Sequence, residues 1–296
     1  MSRPGIPRWL PALLVLLIFG CGNDQQPSTS SQSPPPAAVS LASPARLAMT
    51  ATDQLLVADA SRKGVATVDR TSGTPTSWVM VDGVPLAVAE LDGDILVGEE
   101  TGALLRYRTD GQALGAFGSA SFTSVNDLEV DPDAGQIFVL DARANEVRVL
   151  DLQGDPVTSF GAAELTHPAG LALDPLSQRV FVSELGSFSS FGGFHPRVRI
   201  YNYQGTVLGS LGSGLSRPQG LAFANGKLYV VDSLYGMVQC YDATSNTLLT
   251  TFGNHGSAAG ELMLPLDVVA DPSAGLLYVS NNRNTRIETF DIGGAP

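Results

Sequence analysis

The chain has three histidines, His167, His195 and His255. All three fall between apolar runs, in loops that could share one face. Three imidazoles with an open fourth position make a catalytic zinc site. The plainer reading is three solvated loop histidines, since His167 fills a variable position before a proline and His255 sits in a glycine-rich turn. A second candidate set is Asp59, Glu99, Asp141, Glu184, Asp232 and Asn281, each of which ends an apolar run. Five carboxylates could hold calcium, which takes six to eight oxygens at about 2.3–2.6 Å. The competing reading is that each acid accepts hydrogen bonds from the amides of its own turn. A third set is irregular. Arg46, Asp127 and Asp267 stand where the matching runs carry Ala87, Gly170 and Gly220, and Asn126 adjoins them. A symmetric scaffold does not require that variation, so these four residues are candidate ligand- or partner-binding groups converging on a channel mouth. The last candidate is the loop GSFSSFGGFHPR at 186–197, which spaces Phe188, Phe191 and Phe194 three apart. Exposed aromatics of this kind anchor a protein, carbohydrate or polymer partner, or else fold back as a lid. No G-x-S-x-G elbow and no Walker-type loop is present.

The elements that must position these residues repeat. Apolar runs that follow a proline recur as LTHPAGLALDPLSQRVFVSE (165–184), LSRPQGLAFANGKLYVVDS (215–233), LMLPLDVVADPSAGLLYVSN (262–281) and TSVNDLEVDPDAGQIFVLD (123–141). Weaker copies lie at 83–99 and 42–59. The anchors Pro44, Pro85, Val125, Pro168, Pro218 and Pro265 are spaced 41, 40, 43, 50 and 47 residues apart. That period suits a four-stranded propeller blade. Each repeat reads as β, with runs of four to six residues rich in Val, Leu, Phe and Tyr between Gly, Asp and Pro turns. The fourth repeat gives LALD (171–174), RVFVS (179–183), RVRIYN (197–202) and TVLGSLG (206–212). Helical spacing is not sustained over three turns anywhere, so few helices are expected. The fold class is therefore all-β, a six-bladed β-propeller of four-stranded antiparallel blades. The last repeat stops after its third strand, RIETFDI (286–292), and an open edge is a liability. The N-terminal run AAVSLAS (37–43) is expected to supply the missing strand and close the last blade.

These residues resemble the NHL-repeat family of six-bladed propellers, whose P-x-G-φ-A-φ-D-P…φ-Y/F-V-x-D…R-φ…F-D…G pattern (φ apolar) spans about 41–296, best at 251–294. The first two repeats lack the Asp-Pro. The resemblance implies a binding or scaffold module rather than an enzyme. Asn126-Asp127 also resembles the Asn-Asp segment of gluconolactonase-like propellers, whose metal is held by Glu, Asn and Asp. Here Ala45 and Arg46 stand at the Glu position and Ala169 or Gln219 at the second Asn position. Some amidating lyases with NHL-like propellers are similar in using histidines for zinc. A metal-dependent lyase or hydrolase acting at the channel mouth is thus the first alternative, and carbohydrate or polymer binding through 186–197 the second. No cofactor is expected, with calcium or zinc as the metals those alternatives would use.

Ahead of the repeats, Arg3 and Arg8 precede an apolar stretch from Trp9 to Phe19. At 11 residues it is too short to span a bilayer but suits a signal peptide. Ile18-Phe19-Gly20-Cys21 resembles the lipobox of bacterial lipoproteins, which implies removal of 1–20 and lipidation of Cys21. Gly22 rather than Asp follows the cysteine, which favours the outer membrane. Residues 21–36 are a Pro/Ser-rich tether and 37–296 the propeller. Only two cysteines occur, so a disulfide framework and iron–sulfur clusters are excluded. Cys240, in MVQCYD, reads as a buried small hydrophobe. Cleavage removes both leader arginines and takes the net charge from −12 to −14, and Lys63 and Lys227 are the only lysines. Nucleic acid is therefore not an expected partner. The expected partner is an envelope protein or small ligand at the propeller face, with membrane contact only through the lipid and the chain a monomer.

Overall fold

A computed structural model describes residues 39–186 and 195–292, all within one unit spanning 38–296. Valine- and leucine-rich runs interrupted by turn residues cannot bury both faces of a single sheet. They instead form small antiparallel sheets that pack face to face around an axis. The first blade comprises Pro44–Met49, Leu55–Asp59, Gly64–Val68 and Pro75–Met80; the second Pro85–Leu91, Asp94–Glu99, Leu104–Tyr107 and Ala113–Ala116. The third holds Val125–Asp131, Gln136–Asp141, Glu146–Asp151 and Pro156–Phe160; the fourth Pro168–Asp174, Arg179–Glu184, Arg197–Asn202 and Val207–Leu211. The fifth is built from Pro218–Ala224, Lys227–Asp232, Met237–Asp242 and Leu248–Phe252. The sixth has Pro265–Asp271, Leu276–Asn281 and Arg286–Asp291, preceded by a short parallel pair, Asn254–His255 with Glu261–Leu262. One 3-10 turn at Asn282–Asn284 is the single helical element among the described residues. The fold is all-β, a six-bladed β-propeller.

The innermost strands neighbour one another in order around the axis, and the first also packs against the sixth. The core is six apolar slabs, one in each gap between blades. Burial falls from axis to rim: the second strand of the first blade, LLVAD, is wholly buried, whereas the outer strand ALGA of the second blade is wholly exposed. Each fully buried Val or Leu contributes about 1.5–3 kcal/mol. Cys240 is buried in the gap between the fifth and sixth blades. Where an outer strand turns into the next blade, Gly118 has φ +72, and a Cβ on it would meet the Gly154 carbonyl oxygen at 2.1 Å. Only glycine fits that crossing.

Ring closure is seen only in part, because residues 37 and 38 of the expected N-terminal strand lie outside the described residues. Residues 39–43 form no strand, and the sixth blade has three strands among the described residues. Asp59 Oδ2 accepts the amides of Ala42 (2.6 Å) and Ser43 (3.0 Å) and so ties down the loop into the first innermost strand. Leu41 drops into the gap between blades six and one beside Tyr278 and Ile287, as Leu165, Leu215 and Leu262 fill later gaps. The ring closes through side chains: Ser280 Oγ donates to the Ala45 carbonyl at 3.0 Å, Asn282 Nδ2 to the Pro44 carbonyl at 3.1 Å, and Arg70 pairs with Asp271.

Candidate functional site

The acids that end the second strands are structural hinges of the blades. Asp141 accepts the amides of Thr123 (2.6 Å) and Ser124 (3.1 Å), and Asp232 those of Ser216 (2.7 Å) and Arg217 (3.1 Å). Glu99 takes the Gly83 amide at 3.0 Å, Glu184 that of Thr166 at 2.7 Å, and Asn281 that of Met263 at 2.8 Å. In every blade the acceptor ties down the loop that leads into its own innermost strand. Glu184 also pairs with Arg197 and with Arg199, at 3.1 Å in the second case. The oxygens that a calcium ring would need are directed to amides and guanidinia.

The irregular set comes together on the axis. A register shift between Pro44 and Arg46 turns Arg46 inward from the first blade. Its Nε donates to the Asn126 carbonyl at 2.9 Å, Nη1 to the Leu266 carbonyl at 3.3 Å and Nη2 to the Ala169 carbonyl. One guanidinium thus bonds the third, fourth and sixth blades at once. It also lies 3.5 Å from Asp267 and 4.0 Å from Asp127. Each acid in turn reaches the next blade: Asp127 accepts the Leu171 amide at 2.9 Å, and Asp267 the Leu47 amide at 2.8 Å. Gly220 makes room for this, because a Cβ there would lie 1.8 Å from Asp267 Oδ1. Burial raises the carboxyls of both acids, and the Arg46 charge opposes it; Asp267 is pushed up to about 7.

Arg46 divides the axis into two spaces. Above it, at the end where the innermost strands begin, a polar cup of about 560 Å³ is lined by Ser124, Asn126, Arg143, His167, Gln219 and others. Ser124 Oγ donates to Asn126 Oδ1 at 2.7 Å, and Arg143 pairs with Glu100 at 2.9 Å. Below it, a channel of about 290 Å³ runs along all six innermost strands. Glu129 lies there, and burial together with Asp127 and Asp267 raises its carboxyl well above the usual range.

The other candidates fare differently. His167 is exposed on the cup, with Nδ1 3.3 Å from the Gly186 carbonyl oxygen; His195 and His255 are also exposed. No group of three or more His, Cys, Asp or Glu placed to hold a metal occurs among the described residues. Cys21, Phe188, Phe191 and Phe194, together with the leader and tether 1–36, lie outside the described residues. Sequence reasoning missed Glu129, Ser124 and Arg143, and noted Gln219 only as a departure from the gluconolactonase-like pattern. The signal for Glu129 was present four residues after each anchor, where the chain reads Ala48, Ala89, Glu129, Ala172, Ala222 and Val269.

Fold and site together define a six-bladed propeller with an arginine-plugged axis. No family model matches the chain. Among solved structures it is similar to a hydrazine synthase from Kuenenia stuttgartiensis, at 13% identity and a TM-score of 0.64, covering 89% of this chain and 99% of that one. It is also similar to a gluconolactonase from Xanthomonas campestris, at 20% identity and a TM-score of 0.67, covering 85% and 87%. At these identities the likeness is one of fold.

Proposed function

We propose that the chain is an NHL-type propeller held in the cell envelope, at the outer membrane, by a lipid on Cys21. In this reading it serves as a non-enzymatic scaffold whose upper cup binds an envelope protein or a small ligand. The observation that supports it is the Arg46 guanidinium on the axis between Asp127 and Asp267. A fixed positive charge repels a metal ion at the place where lactonase-like chemistry would need one. The acid oxygens it faces already accept amides from neighbouring blades. Asn126, the other residue shared with the gluconolactonase-like pattern, gives its carbonyl to Arg46 and its side-chain oxygen to Ser124. What remains accessible is a bowl with exposed polar groups, suited to recognition.

The test is capture from solubilised envelopes by the wild-type chain and by Arg143→Glu with Gln219→Ala, beside a lactone-hydrolysis assay with calcium, zinc or manganese added. A specific partner or small ligand that the wild type retains and the cup variant releases is the expected result. Metal-dependent lactone turnover lost in Asp127→Asn would overturn the scaffold reading in favour of the enzyme.

A further inference from the structure

The lower channel carries a feature that neither the fold nor the cup requires. Four residues past each anchor, the innermost strands present Ala48, Ala89, Ala172, Ala222 and Val269, and all of these line the cavity below Arg46. Glu129 is the sixth member of that ring and its one carboxyl. Small apolar side chains leave the tube open. A carboxyl in such a wall is unfavourable unless something compensates it. Asp127 and Asp267, the acids above it, are matched by Arg46 and by amides; Glu90, also on the wall, accepts the Ala51 amide at 3.0 Å and the Gly93 amide. Glu129 makes no side-chain hydrogen bond among the described residues.

We propose that the lower channel is a binding site for a small organic cation, a primary ammonium with an apolar body, held by Glu129. A carboxylate on an aliphatic wall matches a charged head and a hydrocarbon tail. A bare divalent metal would demand six or more oxygens, which the alanine ring does not offer. The cavity of about 290 Å³ sits at the lower limit of ligand pockets and suits a molecule of only a few heavy atoms. Arg46 closes the route to the cup, so the ligand enters from the opposite face. The charged groups around the site are Asp127, Asp267 and Glu90 with Arg46 above, a net negative surrounding that favours the cation. Burial and the two aspartates raise the Glu129 carboxyl well above the usual range, and a bound ammonium opposes that shift. Binding the ammonium therefore favours the ionised carboxylate and proton release, so affinity rises with pH while the amine stays charged.

Calorimetry with n-butylammonium on the full chain tests this, with n-butanol as the uncharged match, at pH 6 and pH 8 in two buffers of different ionisation enthalpy. The expected result is saturable n-butylammonium binding, tighter at pH 8, with a buffer-dependent heat from the released proton and at least tenfold weaker in Glu129→Gln. Arg143→Ala, in the cup, leaves it unchanged. If Glu129→Gln misfolds, Glu129→Ala, which completes the alanine ring, gives the same readout. Absence of binding, equal binding by the Glu129 variants, equal affinity for n-butanol, or loss in Arg143→Ala would overturn the proposal.

Discussion

At the scale of single residues, the axis concentrates charge in a place where water is scarce, and pH is the natural lever on it. Asp267 holds its proton up to about pH 7 in the folded chain and releases it near its ordinary value of 3.8 when unfolded. Between those values the folded state binds more protons, so stability falls as pH rises through the window. The melting temperature of the wild type is expected to increase from pH 8 to pH 5. Asp267→Asn, which keeps an oxygen for the Leu47 amide, should remove roughly 1.4 kcal/mol of that dependence per pH unit. A slope identical in both proteins would show that Asp267 is not the group responsible. A second residue is spent differently: Tyr201 lies in the gap between the third and fourth blades, packed on Phe160, and its hydroxyl finds no partner among the described residues. Removing an unsatisfied buried hydroxyl is neutral or favourable. Tyr201→Phe should therefore leave stability unchanged or raise it by about 1 kcal/mol in urea unfolding, and a loss would mean the hydroxyl is bonded in solution.

Among the elements, the entry loop at 39–43 behaves as a wedge. Leu41 is buried with Val57, Ala66 and Tyr278, while Asp59 holds the backbone beside it. Leu41→Ala is expected to destabilise by about 2–5 kcal/mol, the range for a buried leucine. Asp59→Ala should expose the Ala42 and Ser43 amides to rapid hydrogen exchange, while amides of the third and fourth blades keep their protection. Uniform loss of protection across all blades would contradict so local a role.

For the whole molecule, closure depends on the seam between the sixth and first blades. Trp78, the one tryptophan among the described residues, packs on that seam and donates Nε1–H to the Val39 carbonyl at 3.2 Å. Its fluorescence therefore reports the seam, while far-ultraviolet circular dichroism reports all blades. Every blade buries its slabs only against neighbours, so opening one gap exposes two apolar faces and weakens the rest. The two signals should change with one midpoint in guanidinium, and a fluorescence change at lower denaturant would reveal a ring that opens before it unfolds.

Much of this was written along the chain. The proline-anchored spacing determined six blades, and the strands of the fourth repeat fall within a residue or three of where the apolar runs place them. The repeated acid at each second-strand end announced a turn acceptor, because its chemistry is local: the amides it binds belong to its own blade. Arg46, Asn126, Asp127 and Asp267 stood out as departures from symmetry, and the sequence brought them to one end of the axis. Which of them neutralise one another was decided only by the ring, since Arg46 bonds carbonyls from blades 80, 123 and 220 residues away along the chain. The N-terminal strand is seen only in part: 39–43 form none, and 37 and 38 lie outside the described residues. Alternation in Val39 and Leu41 suits a strand and a gap-filling plug equally, and only the packed gap between the sixth and first blades shows Leu41 buried as the plug. Glu129 was visible as a letter in a row of alanines, yet its meaning needed the channel, because only a closed ring turns that row into a wall with one charge on it.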